Sequence, residues 1–314
     1  MKYLPNIKIV ELTKEYIDSL EKESMEVETI FKGTELEWED KKFFLENSVS
    51  CFLAYDKDML IGEVYALTEL DEDVEEGNEI DAEHLSSIMD RCKKENGAYM
   101  YSLGVLPKYE GKDIAKRLMM NLLIDLKAKG YKKVFSHQKE GASSHLAQFF
   151  EGNLLETREN WYQTGKIYFL YEIDLTKFSM INFHPYIQET DYDCGVACLE
   201  AIFNYVGKSI NKKGVNAIPG DGADLDDMIN AVKLSGEIPI IVENLAQLFM
   251  KLPSIITVLM PGYYEGHYMI VIGHGKDVVY VQNVDEGRFG RMSLEELERA
   301  WWTNLNKYKW GIAI

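Results

Sequence analysis

The chain has few basic residues for its size: 34 Lys and Arg stand against 52 Asp and Glu in 314 residues, a net charge of −18. Non-specific nucleic-acid binding needs a surplus of Lys and Arg to meet phosphates, so no nucleic-acid partner is expected. The surplus of carboxylates reads as a solvated acidic surface or, alternatively, as attraction for a basic peptide substrate. Cysteine is also sparse. Cys51, Cys92, Cys194 and Cys198 are all there is, too few in a chain this long for a disulfide scaffold. No run approaches the roughly 20 apolar residues that span a bilayer, and MKYLPNIKIVELTKEY has no apolar core of a signal peptide. The expectation is a cytoplasmic protein whose thiols stay reduced. What is present is ordinary for a folded chain: 46% hydrophobic and 27% charged residues. At this length two domains are expected.

The apolar pattern fits that count. Residues 7–12 alternate as a strand, 13–31 and 36–47 read as helices, and 51–67 reads as a hairpin joined by Asp56, Lys57 and Asp58. Residues 69–95 carry eleven acidic and three basic side chains. They read as a solvated insertion, about 69–96, with a helix near 81–95. A strand at 99–106, the loop PKYEGKD, and a helix at 114–129 closed by Gly130 follow. Then come a strand at 133–138, a helix over SSHLAQFFEG and a strand at 166–174. The boundary falls near 175–183. Beyond it, helices are expected at 194–206, 225–234 and 293–302, and strands at 238–242, 254–259, 267–273, 278–283 and 309–314. The fold class is α+β / α/β in two domains, 1–176 and 183–314, and the overall pattern shows no repeat.

Cys194 stands where a helix should begin, with Asp193 as its N-cap and Gly195 leaving room for close approach. A helix N-terminus offers positive potential and free N–H groups, which favour a thiolate and an oxyanion. His267 opens the apolar strand HYMIVIG and is placed to act as the base. Asn283, at the end of the next strand, could orient its imidazole. Gln188, six residues before Cys194, could donate to the oxyanion. Asp285 is the reserve orienter, two residues on along the strand. Cys198, one helical turn after Cys194, reads as core packing in preference to a metal pair or resolving thiol, and no metal is expected. His184 and His274 read as structural.

The segment QETDYDCGVACLEAIFNYVG resembles the nucleophile motif of the bacteriocin-processing cysteine peptidases, papain-like domains that cleave double-glycine leader peptides. The resemblance runs through LSGEIPIIVENLAQLFMKLPSIITVLMPGYYEGHYMIVIG to DVVYVQNVDEGRFGRMSLEELERAWW, about 185–305. It implies a papain-like cysteine peptidase fold, with Gln188 the oxyanion glutamine, Cys194 the nucleophile and His267 the base. At the third position the family has aspartate followed by proline. Here Asn283 and Val284 stand there, and asparagine serves that role in papain-like enzymes generally.

The first half resembles the GNAT N-acyltransferases over roughly residues 5–175, most clearly in YSLGVLPKYEGKDIAKRLMMNLLIDLKAKGYKKVF. The resemblance implies a mixed sheet with one splayed strand and acetyl-CoA or another acyl-CoA as cofactor. It places Val105 and the loop Gly111, Lys112, Asp113, Ile114 and Ala115 around the pyrophosphate. The sequence departs from the family pattern there, with Glu110 and Asp113 at positions usually held by Gln or Arg and by Gly. Ser143 and Phe149–Phe150 replace the later Asn and Phe–Tyr pair, so the usual tyrosine general acid is missing.

Three functions follow as expectations. The first is a cysteine peptidase or related amide-bond enzyme acting on a peptide or protein, joined to an acyl-CoA domain. The second is an N-acyltransferase that uses the other domain for recognition. The third is a binding protein built from two inactive enzyme folds.

Overall fold

The computed structural model describes residues 7–32, 37–70, 79–161, 164–215, 222–259, 266–301 and 309–314. They fall into two compact units that divide between Phe178 and Ser179.

The first unit begins with β1 (Ile7–Glu11), a 3-10 turn (Lys14–Leu20), α1 (Glu21–Lys32) and α2 (Trp38–Glu46). It continues through β2 (Ser50–Asp56), β3 (Met59–Leu67), α3 (Glu79–Glu95) and β4 (Gly97–Val105). After a short 3-10 turn (Pro107–Tyr109) come α4 (Ile114–Ala128), β5 (Lys133–Lys139), α5 (Ala142–Phe149), β6 (Asn153–Glu159) and β7 (Ile167–Asp174). The sheet order is β1-β2-β3-β4-β5-β7-β6. The expected helix at 13–31 therefore opens as a tighter 3-10 coil, and the hairpin turns on Lys57 and Asp58 alone, Asp56 lying within β2. Strand β6 has no counterpart among the sequence expectations. It lies at the sheet edge with most residues exposed, so its charged sequence lacks the apolar alternation of a half-buried strand.

The acidic insertion is less solvated than expected. Residues 71–78 lie outside the described segments, but α3 is a packed helix. Leu85, Ile88, Met89 and Cys92 are buried, and the helix lies against β4 and β5. Arg91 ties it to the sheet with a 2.7 Å ion pair to Glu172 on β7, and pairs at 2.7 Å with Glu95 within the helix. Glu83 and Asp90 occupy the outer side of this amphipathic element, while Asp81 is buried.

Strands β4 and β5 pair in parallel only over Gly97–Tyr99 and Lys133–Phe135. Beyond that β4 continues on β3 to Val105, and β5 continues on β7 to Lys139, so the two strands part. The register with β3 slips between Tyr65 and Ala66, which leaves Tyr101 as the extra residue of a bulge on β4. Its ring stacks on Phe44 at 4.5 Å. A fully buried ion pair, Lys41 with Glu63, lies between α2 and β3 and is closed by Ser24, whose hydroxyl donates to Glu63 at 2.8 Å.

The second unit holds β8 (Ser179–Met180), α6 (Cys194–Tyr205), α7 (Leu225–Leu234), β9 (Ile240–Val242), α8 (Leu245–Met250) and β10 (Ser254–Val258). It ends with β11 (His267–His274), β12 (Val278–Asn283), β13 (Arg288–Ser293), α9 (Leu294–Ala300) and β14 (Gly311–Ala313). Its sheet runs β13-β12-β11-β10-β14-β9, with β8 paired to β11. Strands β10, β11 and β12 read as near-continuous apolar runs because helices cover them. Trp301, Leu248, Leu297, Ile256 and Val271 fill the core with almost no exposure. Helix α6 lies across β11 and β10, which carries its N-terminus to the start of β11.

Candidate active sites

Helix α6 begins at Cys194, as the apolar periodicity from that residue predicts. Asp193 is its N-cap residue but does not cap it. The carboxylate turns back and accepts the N–H groups of Thr190 at 3.0 Å and Glu189 at 3.3 Å. Asp193 therefore gives no side-chain acceptor to the N–H groups of the first helical turn, and its carbonyl accepts from Ala197 N–H at 2.9 Å. Gly195 is filled in a way the sequence did not suggest. A Cβ there would meet Met228 Sδ at 3.0 Å and the Tyr268 ring at 3.2 Å. Its missing side chain thus serves the seating of α6 on Tyr268 and Met228.

Residues on adjacent positions of a strand point to opposite sides, and β11 uses this at its first two residues. His267 is buried, and its Nε2 is 2.7 Å from Asn283 Oδ1 on the neighbouring β12. Tyr268 packs its ring under Gly195 and donates its hydroxyl to Ala223 O at 2.9 Å. Burial pushes the Cys194 thiol up. The backbone N–H groups of Tyr268, Gly195 and Cys194 pull the other way, and the Asp193 charge adds to the rise. Desolvation is the largest of these effects, and the N–H groups of the helix start act against it. The Tyr268 N–H places the sulfur against the main chain of β11, at the residue that follows His267.

Gln188 is brought to the same corner. Its N–H donates to Val284 O at 2.8 Å, and its side-chain Nε2 lies 3.4 Å from Asp285 Oδ1. Its Oε1 is buried and has no hydrogen-bond partner among the described residues. Strand β12 ends at Asn283, so Asp285 sits in the turn beyond it and not on the strand face that the sequence reading used. Its N–H donates to Asn283 Oδ1 at 3.0 Å. Cys198 is buried within the unit, its thiol pushed well up by burial. His274 stacks on Phe249 at 4.2 Å. Among the described residues no group of three or more His, Cys, Asp or Glu is arranged to hold a metal. Sequence reasoning missed Tyr268. A tyrosine in an apolar strand reads as core, and a backbone N–H carries no sequence signal.

In the first unit, Val105 ends β4, at the far end of the stretch that has parted from β5. Gly111 has φ +71°, and a Cβ added there would meet nothing within 4 Å, so the loop is open to a ligand. Asp113 precedes α4 in a left-handed conformation, φ 59°, and does not cap the helix with its side chain. Its carboxylate pairs instead with Lys116 at 3.1 Å, which offsets the charge that the sequence reading set against a phosphate. The first N–H groups of α4, from Ile114 and Ala115 onward, are left for an acceptor. Lys112 lies over the Tyr109 ring at 4.7 Å, and the buried Arg117 is committed to Ile7 O at 2.8 Å. An open glycine, uncapped N–H groups and a neutralised carboxylate fit a pyrophosphate held through the backbone.

Family models match both halves. Residues 14–151 match the acetyltransferase (GNAT) family, and residues 182–305 match the Peptidase C39 family. No curated protein matches the chain. Among solved structures, the polyamine N-acetyltransferase of Drosophila melanogaster is similar over 54% of this chain and 100% of its own, at 17% identity and a TM-score of 0.42. An N-acetyltransferase from Staphylococcus aureus is similar over 54% and 99%, at 16% identity and 0.39. A GNAT family acetyltransferase from Elizabethkingia anophelis, with acetyl-CoA bound, is similar over 54% and 98%, at 14% and 0.37. The Peptidase C39 match supports a papain-like cysteine peptidase, and the GNAT match supports acyltransfer chemistry. The chain thus joins a domain of the GNAT acetyltransferase family to a domain of the Peptidase C39 family.

Proposed function

We propose that the second domain is a thiol peptidase, or an amide-bond enzyme of the same mechanism, acting on a peptide or protein. The observation that carries this reading is the 2.7 Å contact between His267 Nε2 and Asn283 Oδ1 beside the open start of α6. Nε2 faces Asn283, and in this reading Nδ1 takes the proton. His267 removes the Cys194 proton as the sulfur attacks the amide carbonyl, forming the S–C bond. The carbonyl electron pair moves onto oxygen, where the Cys194 N–H and the Gln188 amide stabilise it. The oxyanion collapses, the amine leaves with the proton from His267, and water or another amine resolves the acyl-enzyme. Burial raises the Cys194 thiol, and in this reading the proton passes to His267 as the sulfur attacks. Cys194→Ala and His267→Ala each abolish turnover of peptides that the wild-type chain cleaves. Unchanged turnover in both variants would overturn the reading.

The first domain supports a second reading, N-acyl transfer to a peptide or protein amine, carried by the parting of β4 and β5 next to the open 111–115 loop. Val105, Gly111, Lys112, Asp113, Ile114 and Ala115 would hold an acyl-CoA, chiefly through backbone N–H groups. Bound there, it supplies the acyl group as an activated thioester. Calorimetry with acetyl-CoA and longer acyl-CoAs tests this, and neither heat nor thermal shift with any of them would overturn it. The third reading, two inactive folds that only bind, requires an inert Cys194. Alkylation of Cys194 faster than that of the buried Cys51 and Cys92 counts against it. No described helix is long and apolar enough to cross a membrane.

A further inference from the structure

The GNAT-family domain holds a second group of titratable side chains, distinct from the 105–115 loop. Tyr99 on β4 and His137 Nδ1 on β5 share a hydrogen bond of 2.8 Å. The His137 ring stacks on Trp161, with centroids 4.1 Å apart. His84, from α3, stands edge-on to both rings at 5.3 and 5.6 Å. The Arg158 guanidinium, from β6, lies over the same indole at 5.3 Å. These residues come from four elements and meet where β4 and β5 begin to part, since Tyr99 is on the last paired rung.

Three nitrogens of this group are out of solvent and have no hydrogen-bond partner among the described residues: His84 Nε2, His137 Nε2 and Arg158 Nη1. Buried polar atoms are normally paired, so three in one cluster call for a shared partner. Their chemistry limits what that partner is. A guanidinium only donates. Burial, then the charges of His84 and Arg158, push His137 down to about 3, so its ring is neutral. With the Tyr99 hydroxyl donating to Nδ1, the single ring proton sits on Nε2. Burial, then Arg158, lower His84 as well. Glu156 comes within 3.9 Å of His84 Nε2 and 3.7 Å of Arg158 Nε, too far to satisfy either.

We propose that His84, His137 and Arg158 form a recognition site for the carboxylate of a small ligand or of a peptide C-terminus, with Trp161 and Tyr99 as its aromatic wall. A cationic ligand would meet Arg158. An apolar ligand would leave the three nitrogens unpaired. A carboxylate offers about four acceptor positions on two oxygens and is the group that arginine binds bidentately. Entry is through the sheet edge. Arg158 and Glu156 sit on the outermost strand, β6, with side chains 19% and 45% exposed, so the group borders on solvent there. The site stands on its own geometry and does not require that the domain transfer an acyl group.

The test uses the full chain labelled with 15N-histidine, with the resonances assigned from His84→Gln and His137→Gln. The probes are acetate, free glycine, glycylglycine and glycylglycine amide. Carboxylate probes are expected to move the ring nitrogens of both His84 and His137, and the amide is not. Glycine against glycylglycine separates a free amino acid from a peptide terminus as the source. Arg158→Gln, on the exposed edge strand, weakens binding by about tenfold or more, as loss of a charged hydrogen bond requires. Glu156→Gln tightens it by removing a repelling charge. Equal shifts with glycylglycine and its amide would overturn the proposal. So would no shift of either imidazole with any carboxylate at millimolar concentration, which would leave ordered water as the partner.

Discussion

Substituting Asn283 separates the roles assigned to the corner of the second domain. Its Oδ1 accepts from His267 Nε2 at 2.7 Å and from the Asp285 N–H at 3.0 Å. Asn283→Ala removes both acceptors and leaves an imidazole nitrogen unsatisfied on a residue only 2% exposed. A hydrogen bond to a group that becomes charged contributes about 1.5–3 kcal/mol. At about 1.4 kcal/mol per decade, its loss slows a step that builds up imidazolium by roughly tenfold to a hundredfold. Asn283→Asp acts in the opposite direction. A carboxylate at that distance favours the imidazolium, and the imidazolium in turn favours the neighbouring thiolate. The assay needs no substrate: iodoacetamide alkylation of Cys194, followed by mass spectrometry across the pH range. Asn283→Ala slows alkylation at neutral pH, and Asn283→Asp accelerates it and moves the rise to lower pH. Identical profiles for wild type and both variants would refute the idea that Asn283 acts on Cys194 through His267.

Four further outcomes are expected. In the wild type, Cys194 alkylation keeps rising with pH beyond neutrality, because burial holds the thiol above its ordinary value and the thiolate is the reactive form; a plateau on the acid side of neutrality contradicts this. Asp193→Asn shifts the rise to lower pH, since the Asp193 charge opposes the thiolate; an unmoved or alkaline-shifted profile would remove that charge from the account. Gly195→Ala destabilises the protein by about 1–3 kcal/mol in denaturant melts, the usual range for overpacking, since its Cβ would meet Met228 and Tyr268. Lys41→Met costs about 3–5 kcal/mol by leaving Glu63 charged without the Lys41 ammonium; the double variant with Glu63→Leu recovers most of this, and a double variant as unstable as the single contradicts the pairing.

The elements that could be read from the sequence are those whose burial is one-sided or complete. Helix α7 and strand β12 match their expected limits, since Leu225–Leu234 shows helical period and VVYVQN is an unbroken buried run. Strand β13, RFGRMS, escaped because two arginines and a glycine interrupt its apolar positions. Helix α8 escaped because six residues give too little periodicity, although Asn244 caps it as the rules predict. At the candidate site, the contact of His267 with Asn283 follows the roles assigned from residue type and order. What could not be read was direction. Nothing in DYDCG says that the Asp193 carboxylate turns back to Thr190, or that the Tyr268 main chain faces the sulfur. Likewise, α3 looked like a solvated acidic stretch because composition averages over the two faces of a helix that buries only one.

The turned-back Asp193 has a consequence for when α6 is complete. Most helices are finished at the N-terminus by a side chain of their own, worth about 1 kcal/mol. Here that side chain serves the preceding turn, and the Cys194 and Gly195 N–H groups turn to the Cys194 sulfur instead. In the proposed reaction the tetrahedral oxyanion also draws on the Cys194 N–H. Part of the capping energy then appears only while the carbonyl oxygen is negative, so the start of the helix is better satisfied at the moment the reaction is hardest.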